Sequence, residues 1–190
     1  VSAPEGSILN APRPCPVASR HIIGHLLPDT VFGCLHQAVP EQVPAERYRV
    51  GQKLKVLLQS VQRSGKGPEL IVSRADKLLL KRLFEMEVPE IYNGAVEIVA
   101  IAREAGSRSK VAVRARQDGV DPVGSCVGLR GVRIQNIVNE LQGEKIDVVE
   151  WSKDVSKFIA NALSPSQVLR VELNEETQSA VAIVPDRQIS

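Results

Sequence analysis

From residue 41 onward the apolar positions follow two periods, and each change of period marks an element. Leu54, Val56 and Leu58 alternate with Lys53 and Lys55, the spacing of a half-buried strand. Arg63-Ser64-Gly65-Lys66-Gly67-Pro68 supplies a turn, and Leu70, Ile71 and Val72 form the return strand of a hairpin. A hairpin cannot close a barrel by itself, so this one reads as the tail of a small β domain. The spacing then becomes helical, with Leu79, Leu80, Leu83 and Phe84 on one face. Ser73 is the expected cap, Asp76 the third residue and Pro89 the stop. Lys77, Lys81 and Arg82 fall on the solvated face.

Two further strand patterns, Val96 to Ala102 and Lys110 to Ala115, flank a turn at Ala105 to Ser109. Their partly alternating, partly continuous hydrophobicity suits a sheet with one face covered by helices. Asp121 is placed to cap a short helix that has Pro122 at its first position and runs to about Val127. A second helix begins at Gly131, buries Ile134, Ile137, Val138 and Leu141, and ends at Gly143. A strand follows from Lys145 to Trp151. Asp154 caps another helix with Val155, Phe158, Ile159 and Leu163, stopped by Ser164-Pro165. Val168 to Leu173 then pairs with Ser179 to Val184 across Asn174 to Thr177. Because an isolated hairpin is barely stable, residues 166–190 read as the start of a further domain.

Residues 1–40 form an irregular, Pro-rich lead-in. They hold six of the twelve prolines, all three histidines and four charged residues, and at most a short apolar strand is expected near Ile22, Ile23, Leu26 and Leu27. Cys15, His21, His25, Cys34 and His36 offer metal-ligand chemistry, but eighteen residues separate the two cysteines. Closed zinc sites present a close pair such as C-x-x-C, so no metal and no cofactor is expected. At 190 residues and 43% hydrophobic the chain has room for one large domain or two to three small ones. No run approaches the ~18 apolar residues of a membrane span, and the basic start and apolar core of a secretory signal are missing. A cytoplasmic, monomeric chain is expected, and three widely spaced cysteines agree with a reducing compartment.

Charge changes the picture locally. The net charge of +2 is too small to imply nucleic acid, but residues 103–133 hold seven Lys/Arg against three Asp/Glu, whereas five face nine from Ile134 onward. The excess surrounds Gly128-Leu129-Arg130-Gly131, where two glycines leave room for main-chain amides to approach an anion. The expectation is that amides near Gly128 and Gly131 hold phosphates while Arg130 and Arg133 add charge. A plain helix–turn–helix connection is the competing reading of the loop, and a solvated face that of the charge. Catalysis finds little support: the last histidine is His36, and Cys126 reads as a small packed residue at a helix end. No enzyme activity and no small-molecule substrate is expected.

A strand, helix, G-x-x-G loop, helix and strand behind a basic hairpin is the arrangement of a KH module, whose loop holds nucleotides by their backbone. Leu83-Phe84-Glu85-Met86-Glu87-Val88-Pro89-Glu90-Ile91, Ala102-Arg103-Glu104-Ala105-Gly106, Asp121-Pro122-Val123-Gly124, Gly143-Glu144-Lys145-Ile146-Asp147 and Ala160-Asn161-Ala162-Leu163-Ser164-Pro165 closely resemble the bacterial NusA transcription factors. The likeness runs from about Glu41 to Ser190. It implies an α+β chain: residues 41–73 as the C-terminal part of an OB-fold barrel of the ribosomal S-one kind, 74–165 as a first prokaryotic-type KH domain, and 166–190 as the start of a second. The KH fold it implies is a three-stranded sheet with helices packed on one face. Residues 1–40 do not match the barrel's first strands.

The resemblance also implies binding to single-stranded nascent RNA and to RNA polymerase, in pausing, termination and antitermination. Its RNA-binding loop carries over to Gly128, Leu129, Arg130 and Gly131, with Leu129 where the family often has proline. Bases would occupy an apolar groove along or above Val127, Ile134, Ile146 and Val148, with Arg114 and Arg133 nearby; for Ile134 and Val148 core packing is an equal reading. One Trp, two Tyr and three Phe make base stacking a minor contribution. The rival function is a protein-interaction module docking on the transcription machinery.

Overall fold

The structure, a computed structural model, describes residues 8–9, 35–36, 41–48, 52–64, 67–174 and 177–185. The first sheet contains β1 (Ile8–Leu9), β2 (Leu35–His36), β3 (Val56–Ser64) and β4 (Gly67–Ser73) in the order β1-β3-β4-β2. The predicted hairpin is β3–β4, antiparallel, with a register shift between Leu58 and Ser60. Two pieces of the lead-in complete the sheet, contrary to the reading of residues 1–40: β1 pairs antiparallel with β3 and β2 parallel with β4. Strands this short leave no alternation for a sequence to display. The strand expected near Ile22 and the residues Cys15, His21, His25 and Cys34 lie outside the described residues.

Val56, Leu58 and Val72 form a small core with Leu70. Leu57 points the other way and joins a larger cluster built on Leu79, Leu80, Leu83 and Phe84 of α1 (Lys77–Glu87), so β3 packs on both faces. The start of α1 differs from expectation. Asp76, in an extended conformation, is the cap, and its carboxylate accepts from the Leu78 amide at 2.8 Å. Ser73 acts one step earlier, its hydroxyl accepting from the Asp76 amide at 3.0 Å. Pro89 does end α1, but it also opens α2 (Pro89–Tyr92), because Val88 is extended and a proline at the first helical position loses no hydrogen bond.

The second sheet has the order β5-β6-β7, from β5 (Val96–Glu104), β6 (Arg108–Ala115) and β7 (Lys145–Glu150). β5 and β6 are antiparallel and β6 and β7 parallel, with Val111 opposite Val148. The crossover between the parallel strands is α3 (Pro122–Val127) followed by α4 (Val132–Glu140). Val111 and Val113 meet Leu79, Phe84, Cys126, Ile137 and Leu141 in one core, which places the helices on one face of the sheet as expected. Capping by Asp121 and Asp154 is also as expected, each carboxylate accepting an amide two residues on. The chain continues through α5 (Val155–Ala162), which lies against β7, to the hairpin β8 (Arg170–Asn174) and β9 (Ser179–Ile183). That hairpin leaves Leu169, Leu173, Val181 and Ile183 exposed.

Two buried ion networks fix these parts. The Arg74 guanidinium, fully buried, pairs with both carboxylate oxygens of Glu46 and donates to the Lys55 carbonyl at 2.6 Å and the Glu140 carbonyl at 2.9 Å. It thereby ties the first sheet to the C-terminal end of α4. The Glu144 carboxylate accepts from Arg103 at 2.9 Å, the Gly106 amide at 2.9 Å and the Ser109 hydroxyl at 2.6 Å. This second network seats the α4–β7 turn against the β5–β6 turn.

Candidate nucleic-acid interface

The loop between α3 and α4 is a tight 3-10 turn, Leu129–Gly131, whose backbone the glycines make possible. Gly128 has φ 75° and Gly131 φ 76°, and between them Arg130 also sits in the left-handed region at φ 54°. For an L-residue that conformation costs on the order of 1 kcal/mol. The turn pushes its crown into solvent: Leu129 is 86% exposed and Val132 57%.

The amides do not behave as the sequence suggested. The Gly128 amide donates to the Gly124 carbonyl at 2.8 Å and the Gly131 amide to the Gly128 carbonyl at 3.1 Å. The Val132 amide donates to the Leu129 carbonyl. The main-chain nitrogens at both glycines are therefore committed inside the turn, and they are not the phosphate grip expected of them. The glycines serve shape instead. A Cβ on Gly128 would stand 2.7 Å from Cγ of Arg133, whereas one on Gly131 would meet nothing closer than 3.9 Å, so the chain is open to close approach at Gly131.

The basic excess is also largely spent. Arg103 is buried against Glu144, Arg108 and Lys110 share Asp147, and Arg114 and Arg116 share Glu97. The two arginines hold the Glu97 carboxylate down at about 2 by hydrogen bonding, Arg116 most strongly. Arg133 bonds Glu90 at 2.9 Å and the Ser125 carbonyl at 2.6 Å, bracing α4 against α2 and α3. Its charge is therefore not free for the loop, contrary to expectation. Of the seven cations between residues 103 and 133, Arg130 alone has no acidic partner among the described residues. The partners Glu90, Glu97, Glu144 and Asp147 all lie outside the local window in which charge was summed or on another element, which is why the sequence hid them.

The apolar residues divide. Ile134, Ile146 and Val148 are half-buried and pack against the main core. Val127 is half-buried at the end of α3, next to the turn. Arg114 is not at the loop: its guanidinium lies 5.1 Å from the centre of the Trp151 ring, toward the other end of α3. Cys126 is fully buried, and burial pushes its thiol up to about 12, which removes it as a nucleophile at neutral pH. Among the described residues no group of His, Cys, Asp and Glu could hold a metal ion, and no helix is long and apolar enough to cross a membrane.

Comparison with known proteins gives this geometry its context. Models of the NusA-like first KH domain and the NusA-like second KH domain match residues 74–151 and 155–190. The chain belongs to the NusA family. NusA relatives include the transcription termination/antitermination protein NusA of Bacillus subtilis, 57% identical over 152 residues, which cover 80% of this chain and 41% of that protein. The NusA protein of Thermus thermophilus is 54% identical over 140 residues, covering 74% and 36%, and that of Rickettsia prowazekii 40% identical over 145 residues, covering 75% and 29%. The chain thus spans less than half the length of the NusA relatives it matches. The first NusA-like KH match contains the whole β5-to-β7 sheet and the loop, and the second begins at α5. A model described as hydantoinase B/oxoprolinase also matches residues 1–68, a span of which most of the first forty positions lie outside the described residues. These NusA relatives are named transcription termination/antitermination proteins.

Proposed function

We propose that this chain binds single-stranded RNA at the Leu129–Arg130 turn and, within a longer protein, acts with RNA polymerase in pausing, termination and antitermination. The observation that carries the reading is the solvent-facing turn of a KH module with one uncommitted cation, Arg130, at its crown. A phosphate lies against the Arg130 guanidinium, and the absent side chain at Gly131 lets the sugar–phosphate strand come close. Gly128 and Arg133 hold the turn in shape. Val127, Ile134, Ile146 and Val148 line the groove in which bases lie. The amide grip is replaced by side-chain charge and fit, so affinity is modest and its salt dependence shallow. One or two neutralised phosphates give a slope of about −0.7 to −1.4 in log affinity against log salt. The chain works as a cytoplasmic monomer on this reading.

The test is a titration of short unstructured RNA at two ionic strengths, with wild type and a Leu129→Asp/Arg130→Asp variant. The variant loses binding while its thermal unfolding changes little, since both side chains are exposed. Undiminished affinity in the variant would reject the site.

A further inference from the structure

We infer that Glu90, on α2, is a positioning residue of the RNA-binding turn: through Arg133 it holds the first turn of α4 in place and so keeps Leu129 and Arg130 presented. The inference rests on the loop reading above and adds the device that fixes the loop's stance. The turn cannot fix itself. Gly128, Arg130 and Gly131 all have positive φ, and Leu129 at the crown is 86% exposed. The amide hydrogen bonds at Gly128, Gly131 and Val132 stay within α3 and the turn. A left-handed Arg130 persists only where the surrounding structure over-determines it. Outside support comes from Arg133. Its stem runs against Gly128, where a Cβ would stand 2.7 Å from Cγ. Its Nη1 donates both to the Ser125 carbonyl at 2.6 Å and to the Glu90 carboxylate at 2.9 Å.

Glu90 is suited to this because α2 is a fixed post. Phe84 and Val88 are fully buried in the main core, Ile91 packs against it, and the Ile91 amide donates to the Val88 carbonyl at 3.1 Å. Pro89 breaks α1 at that anchored point and restarts the helix, so Glu90 falls in the first turn of α2 and reaches α4. Glu87, at the end of α1, makes a second contact one turn along: its carboxylate accepts from the side-chain amide of Asn136 at 2.6 Å. Two acids three apart thus meet two α4 residues three apart, the spacing of one helical face. With side chains 31% and 32% exposed, the Arg133–Glu90 pair contributes little to stability; its consequence is directional, setting where α4 begins. Because the Ser125 carbonyl also holds Arg133, removing Glu90 loosens the guanidinium without freeing it for a phosphate.

The test titrates short unstructured RNA into the whole chain at two ionic strengths, with wild type, Glu90→Ala, Arg133→Met and the double variant. Met keeps the stem beside Gly128 and lacks the guanidinium. Thermal unfolding checks each fold, and affinity is measured well below the transition. Glu90→Ala is expected to weaken binding by about fivefold, the most that a partly exposed ion pair contributes, with the salt slope unchanged because no phosphate contact is lost. The double variant should bind no more weakly than Arg133→Met, since Glu90 acts through Arg133. Glu90→Gln, which keeps an acceptor oxygen, should bind more tightly than Glu90→Ala. Without RNA, the amide NMR signals of residues 128–132 should move in Glu90→Ala while those of β6 stay. Unchanged affinity with unmoved loop signals would make the pair structural only and overturn the inference. Tighter binding with a steeper slope would also overturn it, because Glu90 would then be withholding Arg133 from phosphates. If RNA binding is lost in Leu129→Asp/Arg130→Asp but intact in Glu90→Ala, the inference falls and the loop reading stands; no binding by wild type overturns both.

Discussion

Replacing Arg74 by Met removes the charge at the joint between the two sheets. Arg74 is fully buried, its main partner Glu46 has a side chain only 2% exposed, and the same guanidinium serves the carbonyls of Lys55 and Glu140. Burial opposes the guanidinium's charge, but hydrogen bonding and attraction from Glu46, with Glu140 behind it, hold its pKa above the usual value. Met keeps much of the volume and leaves the Glu46 carboxylate buried without its counter-charge. Breaking a buried pair from one side costs about 3–5 kcal/mol. For a domain of this size each kcal/mol moves the melting temperature by about 2–4 °C, so a fall of roughly 6–20 °C is expected by calorimetry or circular dichroism. A Glu46→Leu/Arg74→Met double variant removes both charges and should recover much of the loss, because a buried pair exchanged for apolar side chains is often near neutral. A single variant that loses under about 1 kcal/mol, or a double variant less stable than the single, would refute the reasoning that the penalty is an uncompensated carboxylate.

Three other outcomes follow from the same structure. Burial would raise the pKa of Glu144, but hydrogen bonds from Arg103, Gly106 and Ser109 outweigh it and leave the carboxyl below its ordinary 4.5. Its stabilisation is therefore complete above pH 4.5 and lost as pH falls through the lower folded value, and Glu144→Gln should flatten that acid limb in a pH series of denaturant melts. Cys126 should resist a thiol reagent at pH 8 in the native protein and react on unfolding, because its thiol is buried and raised to about 12; fast native-state labelling would contradict this. Gly128→Ala should cost about 1–2 kcal/mol and release Arg133 from Glu90, since the new Cβ meets a positive φ and the Arg133 stem at 2.7 Å; an unchanged melting temperature would contradict that.

Most elements of residues 56–183 were legible because their signals are local. The exceptions are that β3 starts and ends later than the alternation at Lys53 to Leu58 suggested, that Arg63, Ser64, Gly67 and Pro68 belong to strands and not to the turn, and that α2 was not expected. Caps such as Asp121 and Asp154, the proline at the start of α3 and the glycine after α4 act within a few residues, and the strands keep period two. What stayed hidden depends on partners far along the chain. Arg133 looked like a phosphate ligand until Glu90, 43 positions away, came to lie beside it, and Arg114 turned out to belong with Glu97 and Trp151. The committed amides of Gly128 and Gly131 follow from backbone angles that a G-x-x-G string does not specify. Asp76 in place of Ser73 as cap is a smaller case of the same kind, since both can accept from an amide and the helix starts only at Lys77, with Ser73 still the last residue of β4.

The claim that the exposed turn is where RNA binds is tested most directly by backbone amide NMR during a titration with a short unstructured RNA. The account predicts the earliest and largest shifts at residues 127–134, with the buried amides of β6 and α1 unmoved. Saturable shifts confined to other surfaces, with the Leu129 and Arg130 signals unchanged, would contradict it.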